Sequence, residues 1–220
     1  MTNRQMETLC EIYRLYEKQT ENAAIACHKY CSDCCTTSVT MTRLEGLLIL
    51  DAVSKKIVTD PISELFDNNV PRFKPRLSTN AYVAACRTTT DTPVDDETGD
   101  QTGICPFLEN NACRIYPVRP FGCRCMISTT KCDQNGYAEI DDYTLTLNTV
   151  FLQFIEHLDQ DGYFGNMGDV LIYLSSGNEK IPETCNVTPN HPIPALMVPP
   201  AHRGRIADLI NTLDHLIRSS

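Results

Sequence analysis

The sequence is short of basic residues, with 19 Lys and Arg against 28 Asp and Glu and a formal net charge of −9 at pH 7. Nucleic-acid backbones are bound through clustered Lys and Arg, and the chain has no basic stripe, so we expect no nucleic-acid partner. The longest strongly apolar run covers only residues 47–50, which is far too short to cross a membrane. The polar segment Met1–Glu7 lacks the basic and apolar stretches of a signal peptide. We therefore expect a cytoplasmic protein that contacts no membrane.

The signatures of several common enzyme classes are also missing. There is no Gly-rich phosphate loop, no nucleophile elbow around a serine and no H-E-x-x-H pair on a helix. The histidines are scattered, and for His28 we favour a position at a helix end facing solvent over a role as a metal ligand. These absences exclude the corresponding chemistries and leave open whether the chain is an enzyme.

Cysteine, in contrast, is abundant: the chain has 12 cysteines, and nine of them fall in two tight groups. The groups are Cys27, Cys31, Cys34 and Cys35, and then Cys105, Cys113, Cys123, Cys125 and Cys132. Short spacings bring several thiolates to one point, as a soft metal ion or an iron–sulfur cluster requires. In a reducing cytoplasm such groups bind metal more often than they form disulfides. We predict that the isolated Cys10, Cys86 and Cys185 are small core residues.

The ligand count leaves the identity of the metal open. We predict eight ligands, namely Cys27, Cys31, Cys34, Cys35, Cys105, Cys113, Cys123 and Cys125. A tetrahedral zinc site and a 4Fe–4S cluster each take four thiolates, so this set allows two metal sites or a larger cluster. Nearby Arg114, Arg119 and Arg124 are predicted cofactor-binding residues, because they could offset thiolate charge and donate hydrogen bonds to sulfur. Salt bridges on the surface are the alternative role for these arginines.

The apolar periodicity predicts a mainly α-helical domain with a small cysteine-rich β-hairpin region around the metal site. The predicted helices cover residues 5–30, 42–57, 60–68, 79–86, 141–162, 169–174 and 203–218. Residues 104–108 and 113–116 are predicted to form the hairpin, and the proline-rich residues 182–200 are predicted to be irregular. Because the two cysteine groups must meet, we expect one domain over residues 1–220. Its metal motifs lie in residues 27–132, and the C-terminal helices of residues 141–220 pack on them.

Three motifs in order resemble a family of cysteine-rich zinc- or iron-chelating proteins of the C-x-x-C-C type. They are Cys31-Ser32-Asp33-Cys34-Cys35, then Cys105-Pro106-Phe107-Leu108, and then the segment from Cys113 to Arg124 with the pattern C-x-I-Y-x-x-R-P-x-x-C-R. The resemblance covers roughly residues 27–127 and implies a metal or iron–sulfur site. Its ligands would be Cys31, Cys34, Cys35, Cys105, Cys113 and Cys123, with Cys27 as an addition. The chain departs from the family pattern at Cys125 and Cys132, and this leaves the ligand count and the cluster type open.

The resemblance also carries expectations about function. Members of the family are commonly described as iron–sulfur oxidoreductases, and one branch is linked to lysine N-methylation of flagellin. We therefore predict an iron–sulfur protein that acts in a redox or protein-modifying reaction. Lysine N-methylation of a protein is the narrower reaction that the resemblance implies. The expected partner is a protein substrate or a redox partner. The alternative is a zinc-binding structural module for protein–protein interaction. A labile metal chaperone or store is a third interpretation.

Overall fold

A computed structural model of the chain describes residues 3–28, 30–56, 72–88, 103–177 and 186–220. The fold is mainly helical, as predicted, with about 53% helix and eight α-helices in these residues, accompanied by small sheets. The helices are α1 (Asn3–Thr20), α2 (Arg43–Ser54), α3 (Thr79–Thr88), α4 (Phe121–Arg124), α5 (Cys132–Asn135), α6 (Asp142–Leu158), α7 (Met167–Ser175) and α8 (Arg203–Arg218). Among these helices, none combines the length and the apolar character needed to cross a membrane.

Helix α1 is shorter than predicted. Its buried side chains, among them Leu9, Ile12 and Tyr16, follow the expected helical repeat as far as Thr20. The alanines beyond Thr20 favour a helix locally, but the backbone N–H of Ala26 donates to the carbonyl of Ser128 at 2.8 Å instead. A long-range backbone hydrogen bond therefore overrides the local helical preference. The prediction that the helix continues to Tyr30 was wrong.

Helix α2 begins where the sequence predicts it. The Thr42 hydroxyl accepts a hydrogen bond from the Glu45 N–H, and the Glu45 carboxylate accepts one from the Thr42 N–H at 2.8 Å. This reciprocal pair is a capping box, which satisfies two backbone donors that the first turn leaves open. The helix ends at Ser54, three residues before its predicted end, and the helix predicted at residues 60–68 lies outside the described residues.

The predictions for the later helices are confirmed with small shifts. Helix α6 is capped by Asp141, whose carboxylate accepts from the N–H groups of Tyr143 and Thr144, and it ends at Leu158 rather than at residue 162. Helix α8 has the predicted limits, and α3 and α7 each run slightly beyond theirs. Helix α6 contacts α1, α3 and α8, so the N-terminal helix packs directly on the C-terminal half of the chain.

A three-stranded antiparallel sheet was not predicted. Its strands are β1 (Thr40–Thr42), β4 (Tyr163–Asn166) and β5 (Val187–Pro189), in the order β1-β4-β5. Strand β4 pairs Met41 with Gly165 on one side and Phe164 with Thr188 on the other. The strands are too short for a clear period-two pattern, and their partners lie far away in the sequence. The prediction of an irregular segment over residues 182–200 was therefore wrong at β5.

The buried apolar side chains form two clusters. The first joins α1, α6 and α8 around residues such as Leu9, Phe151 and Ile206. The second joins β1, α2, β4 and α7, and it also contains Cys105, Phe107 and Ile115 from the cysteine-rich region. The second predicted cysteine group is thus anchored in the apolar core.

Two buried carboxylates of the α6 region hold other elements in place. Asp159, which is 1% exposed, accepts hydrogen bonds from Arg43 Nε at 3.1 Å and from the Leu44 N–H at 3.0 Å, at the start of α2. Glu156, which is 2% exposed, accepts from the Ser78 hydroxyl and from the N–H groups of Asn80 at 2.9 Å and His191 at 2.8 Å. Each carboxylate therefore fixes the start of a helix by accepting donors that the helix itself cannot satisfy.

Replacing Asp159 by Ala should destabilise the protein by about 3 kcal/mol, because the Arg43 guanidinium and the Leu44 N–H both lose a buried partner. The change is measured as the free energy of unfolding in urea. Asp51→Ala is the control, since Asp51 pairs with Lys55 on the surface of α2 at 2.7 Å, and it should cost about 0.5 kcal/mol or less. Equal losses of unfolding free energy in Asp159→Ala and Asp51→Ala would contradict the structural role of Asp159.

The Glu156 carboxyl should make stability depend on pH. Burial raises the pKa of this carboxyl, and the hydrogen bonds from Ser78, Asn80 and His191 lower it by less. Because the pKa is higher in the folded chain, the folded protein binds the proton more tightly, and the free energy of unfolding falls as pH rises above the ordinary Glu value of about 4.3. Between about pH 4 and 7, the wild type should therefore lose stability relative to Glu156→Gln in urea titrations. A difference that stays constant with pH would argue against this.

Candidate metal centre

The predicted hairpin is present and places Cys105 and Cys113 close together. Its strands are β2 (Leu108–Glu109) and β3 (Ala112–Cys113), in which Leu108 pairs with Cys113. They are shorter than predicted and lie closer to the turn. Asn110 and Asn111 form that turn with φ of 49° and 59°, a left-handed conformation that Asn tolerates better than most residues.

The backbone joins the first cysteine group to this hairpin. The N–H of Cys105 donates to the carbonyl of Cys35 at 3.0 Å, and the N–H of Thr37 donates to the carbonyl of Gly103 at 3.0 Å. Between these two bonds, Thr36 and Ile104 form an isolated antiparallel bridge. Two segments about 70 residues apart in the sequence therefore run side by side, with Cys35 directly next to Cys105.

The short helix α4 brings Cys123 to the same place. Its first N–H, on Phe121, donates to the Glu45 carboxylate at 2.6 Å. At the next residue, a Cβ on Gly122 would lie 2.8 Å from the carbonyl oxygen of Thr40. Helix α4 therefore packs with its backbone against β1, at a distance that only glycine allows.

The thiols of Cys34, Cys35, Cys105, Cys113 and Cys123 lie within electrostatic reach of one another. The interaction between the adjacent Cys34 and Cys35 thiols raises the pKa of Cys34 and lowers that of Cys35. Negative charge on Cys105, Cys113 and Cys123 acts in the opposite direction on Cys35, and burial is the largest influence that raises the pKa of each of these three. Burial and mutual repulsion therefore favour the neutral form of Cys34, Cys105, Cys113 and Cys123, whereas the thiolate of Cys35 is favoured relative to a free thiol.

Cys27 and Cys31 lie beside this set. The N–H of Ser128 donates to the Cys27 sulfur at 3.3 Å, and the Cys31 thiol faces the Asp33 carboxylate at 3.9 Å. Burial raises the pKa of Cys31, and charges on Cys27 and Cys34 raise it further. Cys31 thus links Cys27 to Cys34 in space.

Cys125 occupies a different environment from the other predicted ligands. It is buried in the apolar cluster of α1 and α6, and its thiol donates to the Gly122 carbonyl at 3.6 Å. Burial raises its pKa to about 12, with smaller contributions from charges on Glu45 and Cys34. Its position is that of a small core residue at the edge of the thiol set.

Two of the three predicted arginines lie close enough to the thiols for their positive charge to lower the pKa of a cysteine. The charge of Arg119 lowers the pKa of Cys113 and of Cys123, and the charge of Arg114 lowers that of Cys105. The Arg119 guanidinium stacks on the Tyr116 ring, 3.7 Å from its centroid. Arg114 donates to the carbonyl of Pro106 at 2.9 Å, which holds it against the hairpin.

Arg124 has a structural role instead. Its buried guanidinium donates to the carbonyls of Arg119 at 2.9 Å and Pro117 at 2.7 Å, and to the Glu17 carboxylate at 2.6 Å. It also lies over the Tyr13 ring, 4.1 Å from the centroid. These contacts tie the segment around α4 to α1, and they direct the guanidinium toward α1.

The donor set fits a soft metal in its chemistry, since five thiols from three segments, of which only Cys105 is buried, lie within electrostatic reach of one another. No disulfide joins any of the 11 cysteines that lie in the described ranges. Within the same ranges, no three His, Cys, Asp or Glu side chains already stand in an arrangement that could hold a metal ion. The backbone thus brings the three cysteine-bearing segments near one another without placing their thiols as a ready-made ligand set.

Sequence reasoning missed two contacts that build this region. One is the close packing of Gly122 on β1, and the other is the hydrogen bond between Glu45 and Phe121. The sequence pattern Thr42-Arg43-Leu44-Glu45 is typical of a capping box and so indicates Glu45 as a partner of Thr42, but nothing local indicates its hydrogen bond to Phe121. The glycine inside the third motif, between Phe121 and Cys123, was the only available signal for the close approach of α4 to β1.

Gly122→Ala should displace α4, because its Cβ would collide with the rigid Thr40 carbonyl and not with a flexible side chain. We expect a loss of about 1–3 kcal/mol in the free energy of unfolding and faster alkylation of Cys123 by iodoacetamide. Gly204→Ala is the control, since a Cβ there meets no atom within 4 Å: it should leave the alkylation of Cys123 unchanged and raise the free energy of unfolding by up to about 1 kcal/mol, because Ala is the better helix former. Unaltered Cys123 reactivity in Gly122→Ala would contradict the tight packing.

Comparison of the chain with family models, with curated proteins and with solved structures finds no match. The family resemblance therefore stays a prediction, and the function has to be inferred from the arrangement of the cysteines.

Proposed function

We propose that this chain is a cysteine-ligated iron–sulfur protein that acts in a redox or protein-modifying reaction. The single observation that supports it most strongly is that the backbone pairs Cys35 with Cys105 and leaves Cys34, Cys113 and Cys123 within electrostatic reach of them. These thiols come from a loop, a hairpin and a short helix, and backbone hydrogen bonds hold the loop and the hairpin together. Four of the five thiols are only partly buried, so the filling of an apolar core by small residues does not account for this arrangement.

The adjacency of two of the thiols favours a cluster over a single ion. A tetrahedral zinc site and a 4Fe–4S cluster each take four thiolates, so the number of thiols does not choose between them: five lie within electrostatic reach of one another, with Cys27 and Cys31 beside them. Two of the five, Cys34 and Cys35, are adjacent in sequence, and each thiol shifts the pKa of the other. A cluster offers several metal atoms at different positions, so neighbouring residues can each reach one.

The protein's own residues would tune such a centre. A bound iron–sulfur cluster supplies one-electron transfer at a potential set by charge, burial and hydrogen bonds to sulfur. Here Arg119 and Arg114 place positive charge beside the thiols, and the apolar cluster around Phe107 and Ile115 keeps water away from Cys105. Arg124 contributes by holding the α4 segment in place.

The remaining parts of the proposal concern location and partner. We assign the protein to the cytoplasm, where thiols stay reduced and available to a metal. Its partner would be a redox protein or a protein substrate, and lysine N-methylation is the narrower reaction that the family resemblance suggests. Neither a nucleic acid nor a membrane is part of the proposal.

A zinc-stapled structural module for protein–protein interaction is the second candidate. It is favoured by the burial of Cys105 and the packing of Cys35 and Cys113 against the second apolar cluster. A metal at this point would join the loop, the hairpin and α4 across the core, and would stabilise the fold directly.

The two candidates differ in metal content and in response to reductant. Protein purified without oxygen should contain iron and acid-labile sulfide, absorb in the visible range and give an electron paramagnetic resonance signal after reduction with dithionite. Cys123→Ser should lose most of the bound iron, because that thiol belongs to the converging set, whereas Cys10→Ser should keep it, because Cys10 lies on α1.

Other outcomes of the same preparation are equally decisive. A colourless protein with stoichiometric zinc that unfolds on chelation would replace the iron–sulfur proposal by the zinc module. A protein that takes up neither metal, even after anaerobic reconstitution with iron and sulfide or with zinc, would refute both.

A further inference from the structure

The Glu45 carboxylate joins three elements at one buried point. The side chain is 3% exposed, and its Oε2 accepts from the Thr42 N–H at 2.8 Å and from the Thr42 hydroxyl at 3.0 Å. Its Oε1 accepts from the Tyr13 hydroxyl at 2.7 Å and from the Phe121 N–H at 2.6 Å. One side chain therefore connects α1, the start of α2 and the start of α4.

All four of these partners donate, so the site requires an acceptor on both oxygens. An ionised carboxylate has only acceptor sites, and charge-assisted hydrogen bonds of this kind are shorter and stronger than neutral ones. A glutamine of the same size would turn an NH₂ group toward a donor on one side. Either the capping box or the bond to Phe121 would then be lost.

The bond to Phe121 matters for the cysteines because α4 is only four residues long. A helix this short has little stability of its own, so its position depends on its contacts with the scaffold. Cys123 lies two residues after Phe121, and Cys125 lies close enough to Glu45 for the carboxylate charge to act on it. Glu45 is also in the turn of α2 that follows β1, the strand on which Gly122 packs.

We propose that Glu45 is the positioning residue of the cysteine centre, which holds α4 so that Cys123 faces the pair Cys34 and Cys35. The inference rests on the proposed function for its metal readout, but the placement of Cys123 can be tested without metal. Residues that orient metal ligands from outside the coordination sphere commonly change metal affinity by about 10–100-fold when mutated.

Glu156 provides a matched control. It is equally buried at 2% exposure and also accepts from two backbone N–H groups and a hydroxyl. Its partners Ser78 and Asn80 lie at the start of α3 and His191 lies in the C-terminal segment, so none of them belongs to α4. Glu156→Gln therefore changes a buried carboxylate with similar hydrogen-bond partners, and it leaves the α4 contact intact.

The experiment compares wild type, Glu45→Gln and Glu156→Gln in two measurements. In metal-free protein, the iodoacetamide alkylation rate of each cysteine is measured by mass spectrometry. In protein titrated with zinc or reconstituted with iron and sulfide, the metal affinity is measured by competition with a chelator. We expect Glu45→Gln to alkylate faster at Cys123 and to bind metal about 10-fold more weakly, with Glu156→Gln unchanged in both.

Tyr13→Phe is a second variant that tests the same role if Glu45→Gln fails to fold. It removes one hydrogen bond to Glu45 and keeps the ring under Arg124. It should shift both readouts in the same direction by a smaller factor. Unchanged Cys123 alkylation in Glu45→Gln and Tyr13→Phe, or an equal increase in Glu156→Gln, would overturn the positioning role while leaving the proposed function in place. A wild type that binds neither metal would refute the proposed function, and the alkylation rates would still decide the role of Glu45.

Discussion

Buried carboxylates at the starts of helices are the constraint on which the described structure depends. Glu45 accepts donors at the starts of α2 and α4, Asp159 accepts at α2, and Glu156 accepts at α3. A desolvated negative charge is tolerated only when several donors surround it, and the first N–H groups of a helix have no acceptors within the helix. The buried carboxylate and the first N–H groups of a helix therefore supply each other's hydrogen-bond partners, and each carboxylate thereby fixes how distant elements pack.

The cysteine-rich region depends on this scaffold because it has little regular structure of its own. Its hairpin strands have two residues each, and its helix α4 has four. Its order comes from hydrogen bonds to better-formed elements and from the burial of Phe107, Ile115 and Phe121. A metal bound by the converging thiols would add a further connection between the same segments, so the proposed centre and the fold would stabilise each other.

The candidate site was predictable in its residue types more than in its geometry. The short cysteine spacings indicated a soft metal, and the structure places Cys34 and Cys35 beside thiols from the second group. The sequence could not rank the cysteines, and only the packing sets Cys125 apart in the apolar cluster. It also could not separate Arg119 from Arg124, because the partners that direct the Arg124 guanidinium to α1 lie about 100 residues away.

Features that depend on neighbouring residues were determined by the sequence alone. The capping box at Thr42, the limits of α8 and the turn at Asn110 and Asn111 follow from hydrogen bonds and periodicity within a few residues. The end of α1, the sheet β1-β4-β5 and the meeting of the cysteine groups were decided by the tertiary structure. In each of these three features the backbone donors are satisfied by partners far away in the chain, and a local sequence pattern does not indicate such partners.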